Sequence, residues 1–183
     1  MARLVLVLAA LALAAAGCGQ EDQPRTTAET EGLYLEVGGL KYQIQMSRYM
    51  NQDDVEDQEY LVGLPESTAE PDADETWFGV WVRVQNESDE PRAAADTWEI
   101  HDTQENIYRP IPVDTEVNRW VFEPGDVPPR TVWPLADSAA GQGPTQGLLL
   151  LFKVTAESLQ NRPLELRFSV GPQGEVGTYH LDV

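Results

Sequence analysis

The sequence predicts an all-β protein built as an antiparallel sandwich. Along most of the chain after Leu33, apolar residues alternate with polar ones at a period of two, which is typical of strands that bury one face. Turn-forming residues recur roughly every 8 to 12 residues, as they do in sandwiches. No predicted strand is followed by a helix long enough to cross over to a parallel neighbour, so the strands are expected to pair in antiparallel fashion.

Composition limits the size and the partners of this sandwich. The chain has 183 residues, enough for one domain with a tail, and its 42% apolar content with five tryptophans can build a core. The formal net charge of −19 would repel nucleic acids and anionic lipid surfaces, which proteins attract with clustered Lys and Arg. The single cysteine excludes an internal disulfide, a zinc cluster and an iron–sulfur site.

The N-terminus has the pattern of an export signal. Arg3 precedes an apolar run from Leu4 to Ala16, which is too short to span a membrane and is typical of a secretory signal peptide, here over residues 1–17. Ala15-Ala16-Gly17 before Cys18 resembles the lipobox of bacterial lipoproteins. This resemblance implies that Cys18 carries a diacylglyceryl group and becomes the first residue. The alternative is an ordinary signal peptide followed by a free thiol.

We therefore expect a protein anchored by lipid to the extracytoplasmic face of the cell membrane. Two acyl chains hold a protein stably where one chain is marginal, and only the lipid is expected to touch the bilayer. Residues 18–31 are polar, contain Pro24 and lack aromatic and large aliphatic residues, so they are predicted to form a flexible tether. The folded domain is predicted over residues 32–183.

Strand patterns follow one another along this domain. Leu40, Tyr42, Ile44 and Met46 alternate with polar residues, and 164–170 repeats the pattern, so both segments are predicted to have one buried face. The segment 77–84 is apolar on both faces at its start, which is typical of a central strand. Prolines are expected to keep their strands at sheet edges. The other predicted strands are 97–101, 107–111, 117–122, 130–135, 147–154 and 176–183.

Helix patterns are scarce. The first candidate runs from Asn51 to Leu61, with Asn51 or Asp53 as its cap, and the second is a single turn over 155–159 capped by Thr155. Two segments, 66–75 and 137–146, are predicted to be long mobile loops because they are rich in acids or in small residues.

Three segments carry a family resemblance: Tyr42-Gln43-Ile44, the strand 77–84 with the turn Asn86-Glu87-Ser88-Asp89-Glu90-Pro91, and Trp98-Glu99-Ile100-His101-Asp102. They resemble uncharacterised immunoglobulin-like lipoproteins of Gram-positive and actinobacterial cell surfaces, in which a valine-rich strand ends in an Asn-x-Ser/Thr-Asp-x-Pro turn. The resemblance covers most of residues 33–170 and implies an immunoglobulin-like antiparallel β-sandwich, with no known reaction. Residues 50–75 are an insertion relative to that pattern, so we expect one short helical insertion after the first core strand.

The sequence offers few groups for catalysis. The two histidines, His101 and His180, lie on strand patterns among polar residues, and both are predicted to face solvent. No Gly-x-Ser-x-Gly, Gly-x-Gly-x-x-Gly or Walker motif occurs. A copper site built from Met46, Met50 and a histidine is an alternative, against the packing of Met46 inward beside Ile44.

The acidic runs 53–59 and 70–75 are the other metal candidates, because Ca²⁺ prefers hard oxygen ligands. Neither run has the spacing of an EF-hand loop, and carboxylates at the start of a helix are explained by the helix dipole. We expect neither a metal nor a cofactor.

Aromatic residues supply the one candidate ligand site. Trp77 and Trp81 are predicted to share a face of the central strand with Gly79 between them, where they could form a stacking platform for a sugar or a peptide. The alternative is that both indoles pack under the 50–61 segment or the strand of Trp120, with Gly79 leaving room for a ring.

These observations favour a surface binding or interaction module without catalytic activity. We expect it to engage a protein or cell-envelope partner through a sheet face or an edge strand. Two alternatives remain: an accessory subunit or chaperone of an exported membrane complex, and a carboxylate-dependent envelope hydrolase. An exposed apolar patch would favour the interaction module, whereas a pocket holding two carboxylates with perturbed pKa values would favour the hydrolase.

Overall fold

Short strands make up most of the regular structure. The computed structural model describes residues 24–183, apart from the side chain of Leu159. In chain order the elements are β1 (Thr27–Ala28), β2 (Tyr34–Val37), β3 (Leu40–Met50), α1 (Val55–Gln58), β4 (Glu75–Gln85), β5 (Arg92–Ala93), β6 (Thr97–His101), β7 (Ile107–Tyr108), β8 (Asp126–Val127), β9 (Val132–Trp133), α2 (Ala139–Gln142), β10 (Leu148–Thr155), the 3₁₀ helix η1 (Ala156–Leu159), β11 (Glu165–Ser169) and β12 (Val176–His180).

The strands form two sheets packed face to face. The first sheet has the order β1-β12-β11-β6-β7 and the second has the order β10-β4-β3-β2, with β9 paired to the end of β4. β5 and β8 form a separate two-stranded pair. The ladders between these strands are antiparallel, apart from the parallel pairing of β1 with β12. The predicted fold class, an all-β immunoglobulin-like antiparallel sandwich, is confirmed.

The main core lies between the two sheets and is rich in stacked rings. Phe168 stacks on Trp98 with 4.7 Å between ring centroids and lies at the same distance from Tyr42. The Tyr42 hydroxyl accepts a hydrogen bond from the Ala95 N–H (2.8 Å), and burial raises the pKa of Tyr42 to about 12. The Tyr179 hydroxyl donates to the Tyr42 carbonyl (2.8 Å). The hydroxyls of Tyr42 and Tyr179 therefore both have backbone partners, as burial of a polar group requires.

A β-bulge reverses the two faces of β3 halfway along the strand. Its pairing with β4 shifts register between Ile44 and Met46. Ile44 belongs to the main core, whereas Met46 packs against the cluster on the opposite side of the second sheet. The prediction that Met46 packs inward beside Ile44 is therefore wrong, because one extra residue in a strand inverts every later side chain.

The ordered domain begins before residue 32. Ala28 of β1 is buried, with 2% of its surface exposed, and the Thr178 N–H donates to the Thr26 carbonyl (2.8 Å). Glu31 accepts hydrogen bonds from the Asp182 N–H (3.1 Å) and from Ser47. The predicted tether of residues 18–31 therefore extends too far, since 24–31 is held by backbone pairing, by the hydrogen bonds of Glu31 and by the buried Ala28.

A second core covers the outer face of the second sheet. Two segments, residues 51–64 and 111–121, fold over this face, and together they are called the cap below. The buried residues beneath and within the cap are Met50, Tyr60, Trp77, Trp81, Val113, Leu149 and Leu151. β4 and β10 are thus buried on both faces over most of their length, which explains why their sequences are nearly continuous apolar runs.

Asn118 fastens the two segments of the cap to each other. Its side-chain amide donates to the carbonyls of Tyr60 (2.9 Å) and Val62 (3.0 Å), and its carbonyl oxygen accepts from the Trp120 N–H (3.0 Å). The predicted strand at 117–122 is wrong for this reason, since the chain turns around a buried asparagine side chain and makes only an isolated bridge at Val121.

The helical elements differ from the predicted ones in their length, their caps or their place in the chain. The predicted helix over 51–61 is reduced to α1, with Asp54 as its cap: the Asp54 side chain accepts from the Glu56 N–H (2.8 Å). The predicted turn at 155–159 forms as η1, but without a hydrogen bond from the Thr155 side chain. The predicted loop 137–146 contains α2, capped by Ser138.

Replacing Asn118 with Ala is expected to loosen the cap. The substitution leaves two carbonyls and one N–H without partners, so it should lower the free energy of unfolding by about 2 to 3 kcal/mol. Urea denaturation measures this loss, and hydrogen exchange should show faster exchange of cap amides than of main-core amides. Gln104→Ala, at an exposed position in a turn, is the comparison. Uniformly faster exchange across both cores would contradict the assigned role of Asn118.

Candidate functional site

The two tryptophans predicted as a stacking platform lie beneath the cap. Trp77 is 3% exposed and Trp81 is 0% exposed, so neither ring can stack on a ligand. The Tyr60 ring packs against Trp81 edge-on, with centroids 5.3 Å apart. A Cβ at Gly79 would lie 2.7 Å from ring carbons of Trp81. The platform prediction is therefore wrong, and the alternative, in which Gly79 leaves room for a ring, is confirmed.

An ion pair holds α1 against this buried ring. The Arg48 guanidinium lies 5.2 Å from the centroid of a Trp81 ring and donates to both carboxylate oxygens of Asp57. Asp57 also accepts from the Asn51 N–H (2.7 Å). Burial acts to raise the pKa of Asp57, but the hydrogen bonds from Arg48 and Asn51 outweigh it, and the pKa is lowered. The acidic run around α1 therefore contains a structural carboxylate.

The two histidines lie on the outer face of the first sheet. His101 and His180 occupy the positions on either side of Glu165 in adjacent strands. The His101 ring is 3.0 Å from a Glu99 oxygen, and the His180 ring is 3.6 Å from a Glu165 oxygen. Each imidazole thus has its own carboxylate. Across residues 24–183, no three His, Cys, Asp or Glu side chains form a group that could hold a metal ion.

One half-buried carboxyl among the described residues is held by the N-terminal segment and the sandwich together. Glu31 is the carboxyl within residues 24–183 whose pKa is raised, and burial is the main cause. Its oxygens accept hydrogen bonds from Ser47 and Asp182, so the group ties the N-terminal segment to the sandwich. The paired carboxylates of a glycosidase would instead face each other across a cleft.

An open groove lies at the edge of the first sheet, where β7 stops covering β6. β7 pairs with only the last two residues of β6, Ile100 and His101. The chain then crosses to the second sheet, where the Ile111 N–H donates to the Leu151 carbonyl (2.8 Å). The edge of β6 from Thr97 to Glu99 is left without a strand beside it among the described residues.

This β6 groove has a cavity volume of about 460 Å³, within the range of ligand pockets. Its walls are β6 on one side and the proline-rich crossing segment on the other, above a floor from the second sheet. The lining residues are Asp96, Thr97, Trp98, Glu99, Arg109, Pro110, Ile111, Pro112, Val113, Thr115, Val121, Phe122, Glu123, Pro124 and Leu150. Most of these present apolar surface, and the polar ones lie at the rim.

The charge of the β6 groove is negative. Arg109 lies 2.7 Å from a Glu99 oxygen. Burial acts to raise the pKa of Glu99, but hydrogen bonds from His101 and Arg109 outweigh it, so the pKa is lowered and Arg109 balances an ionised group. Asp96 and Glu123 are exposed at the rim without an ion pair among the described residues. An occupant with positive charge is therefore favoured.

Sequence reasoning missed this groove, although its components were visible. Pro110 and Pro112 were expected to place a strand at an edge, and the predicted strand 107–111 ends at Tyr108 instead. The departure of the chain depends on the hydrogen bond from Ile111 to the other sheet, which is a tertiary contact. An X-Pro-X-Pro pattern directly after a strand is the signal that could have indicated an uncovered edge.

Comparison with known proteins adds no functional assignment. No family model matches the chain, and no curated protein matches it. The yjhA protein from Bacillus subtilis has a similar structure, with 9% identity and a TM-score of 0.49, covering 84% of this chain and 99% of that one. An uncharacterised β-sandwich protein from Clostridium difficile 630 has 12% identity and a TM-score of 0.47, covering 88% and 97%.

The predicted lipidation site, Cys18, and the predicted signal peptide lie outside the described residues. Between residues 24 and 183, no helix is long and apolar enough to cross a membrane. The anchor therefore stays a prediction from the sequence.

Replacing Asp57 with Asn is expected to destabilise the protein in a pH-dependent way. Arg48 would lose its carboxylate partner, so the free energy of unfolding at neutral pH should fall by about 2 to 3 kcal/mol. Because the pKa of Asp57 is lowered on folding, its contribution is present above the unfolded pKa of about 3.9 and is lost as the pH falls through the folded value.

Urea denaturation of both proteins at several pH values measures this dependence, and the difference should narrow below about pH 4. Asp53→Asn, which alters an exposed neighbour, should change stability little. A loss that stays constant down to pH 3 would contradict an ionised Asp57 as its cause.

Proposed function

We propose that this protein is a lipid-anchored, non-catalytic binding module on the extracytoplasmic face of a bacterial cell membrane, and that the β6 groove binds an extended, basic segment of a partner protein. The observation that carries the proposal is an apolar groove lying directly beside an uncovered strand edge. The lipoprotein resemblance of the N-terminus supports the location.

The uncovered edge supports an extended occupant. Backbone N–H and C=O groups of an edge strand are arranged to pair with another strand, and a peptide that adds to such an edge gains main-chain hydrogen bonds. Proteins usually block these edges to avoid association. Here the segment that could block the edge from Thr97 to Glu99 turns away at Pro110.

The apolar floor of the β6 groove supports selection among peptide sequences. Side chains of an extended peptide point alternately to the two sides, so every second residue could enter the groove between Trp98 and Ile111. The occupant is therefore expected to alternate apolar residues with polar or charged ones.

Charge supports a basic partner. The carboxylates of Asp96 and Glu123 at the rim and the net charge of −19 favour positively charged segments and raise the rate at which they arrive. This attraction is screened by salt, so binding should weaken at high ionic strength.

Cys18→Ser is expected to release the protein from the membrane. The serine hydroxyl does not accept the diacylglyceryl group, and the chain offers no second cysteine. Fractionation of cells expressing each form, with metabolic labelling by a radioactive fatty acid, measures attachment. Gly19→Ser, which keeps the cysteine, is the control and should stay membrane-bound and labelled. A Cys18→Ser protein that remains in the membrane fraction would refute the anchor.

Glu123→Lys is expected to weaken binding of basic peptides to the β6 groove. The probes are acetylated hexapeptides that alternate Val with Lys, and the same peptides with Glu in place of Lys. Reversing one rim charge should weaken the Lys peptides by roughly fivefold, corresponding to about 1 kcal/mol. NMR titration measures affinity, and the amides of β6 should become protected from exchange.

Glu116→Lys is the matched control, because Glu116 is also exposed and lies outside the groove lining. It adds the same charge to the whole protein, so any effect of net charge alone appears in both variants. Equal weakening by both substitutions, or peptide-induced shifts that leave β6 unaffected, would refute the proposed groove.

A further inference from the structure

Arg83 occupies a break in the pairing of β4. On one side of β4, pairing with β10 ends at Val82 and pairing with β9 begins at Val84. Arg83 lies between them, and its neighbour across the other ladder is Gln43 of β3. The chain from β9 through α2 to β10 therefore loops out beside this residue and leaves a pocket there.

The Arg83 guanidinium has no partner among residues 24–183. Its Nε is buried and has no hydrogen bond. Other basic side chains of the central strands do have carboxylate partners: Lys41 pairs with Glu87 and Lys153 with Glu75. In a chain with 31 acidic and 12 basic residues, a part-buried arginine without a carboxylate is unexpected, because a buried charge normally has a counter-charge.

The pocket around Arg83 has a volume of about 660 Å³ and combines donors with apolar walls. It is called the Arg83 pocket below. Its lining residues are Arg83, Arg130, Thr131, Val132, Pro134, Leu135, Ala136, Gly141 and Gln146. The lining therefore combines guanidinium and amide groups with aliphatic side chains.

A strained residue lies in the same pocket. Arg130 has a φ of 54°, in the left-handed region that non-glycine residues rarely adopt. Its position is fixed by the buried Asn86, whose N–H donates to the Thr131 carbonyl (2.9 Å) and whose amide donates to the Val127 carbonyl (2.9 Å). Backbone strain of this kind concentrates at functional sites.

The geometry points to the Arg83 pocket as a binding site for a small monocarboxylate with a short aliphatic body. A guanidinium offers parallel N–H donors that match a carboxylate, and Leu135, Pro134 and Val132 suit the aliphatic part. Arg130 is paired with Asp89 at 2.9 Å, so Arg83 supplies one uncompensated positive charge. One charge suits a monoanion better than a phosphate dianion.

NMR titration of the folded protein with sodium valerate tests this assignment. The side-chain Nε–H resonance of Arg83 should shift saturably, together with the amides of Thr131 and Ala136. Pentanol, which has the aliphatic body without the charge, and inorganic phosphate, which has charge without that body, should each bind at least tenfold more weakly. Phosphate binding equal to valerate binding would overturn the carboxylate assignment.

Arg83→Met keeps an unbranched side chain and removes the charge, and it should weaken valerate binding at least tenfold. Arg92→Met removes the same charge from an exposed strand outside the pocket and should bind valerate as the natural protein does. Equal weakening by both variants would overturn the site. Should Arg83→Met fail to fold, Arg83→Lys is used: it keeps the charge without the parallel N–H donors and should weaken valerate binding severalfold. The shift of the Arg83 Nε–H resonance, measured in the natural protein, tests the site independently of either variant.

The Arg83 pocket does not depend on the β6 groove. Glu123→Lys, which tests the groove, should leave valerate binding unchanged, and Arg83→Met should leave the binding of the Lys-containing peptides unchanged. Failure of one proposal is therefore distinguishable from failure of the other.

Discussion

Both faces of β4 have to be kept from water, and much of the structure follows from that requirement. Phe78 and Val80 face the main core, whereas Trp77 and Trp81 face the other way. A two-sheet sandwich covers only one of these faces. The cap exists to cover the second, and burying two indoles there is a large apolar gain, at about 25 cal/mol per Å² removed from water. Asn118 and the Arg48–Asp57 pair then hold the cap closed.

The period-two pattern was sufficient to predict the sandwich and most of its long strands. The prediction for Thr97 to His101 matches β6, and β4 and β10 differ from their predictions by one or two residues at each end. The local sequence was sufficient to predict these strands, because the burial of one or both faces determines which of their residues are apolar. The two histidines were likewise placed among polar neighbours on the outer face.

The features that the pattern could not predict depend on contacts between distant segments. The bulge at Gln45 inserts one residue and sends Met46 to the other face, which no alternation rule anticipates. The tryptophans were expected to share a face, and they do, but whether that face was open depended on the cap. The order of residues 24–31 depends on hydrogen bonds to β12. Both candidate binding sites lie where strand pairing stops, at Tyr108 and at Arg83, and pairing limits are set by tertiary structure.

The edge position of β1 has a consequence for where an anchored molecule would be attached. β1 and β7 lie at opposite edges of the first sheet, and β6 is three ladder spacings from β1, or about 14 Å. Eight residues lie between Cys18 and Thr27, and this length of chain reaches at most about 30 Å. That reach exceeds the distance of about 14 Å between β1 and β6. A lipid on Cys18 would therefore attach the molecule at the edge of the first sheet that lies away from β6, while leaving the domain free to turn and the β6 side open to whatever approaches the cell.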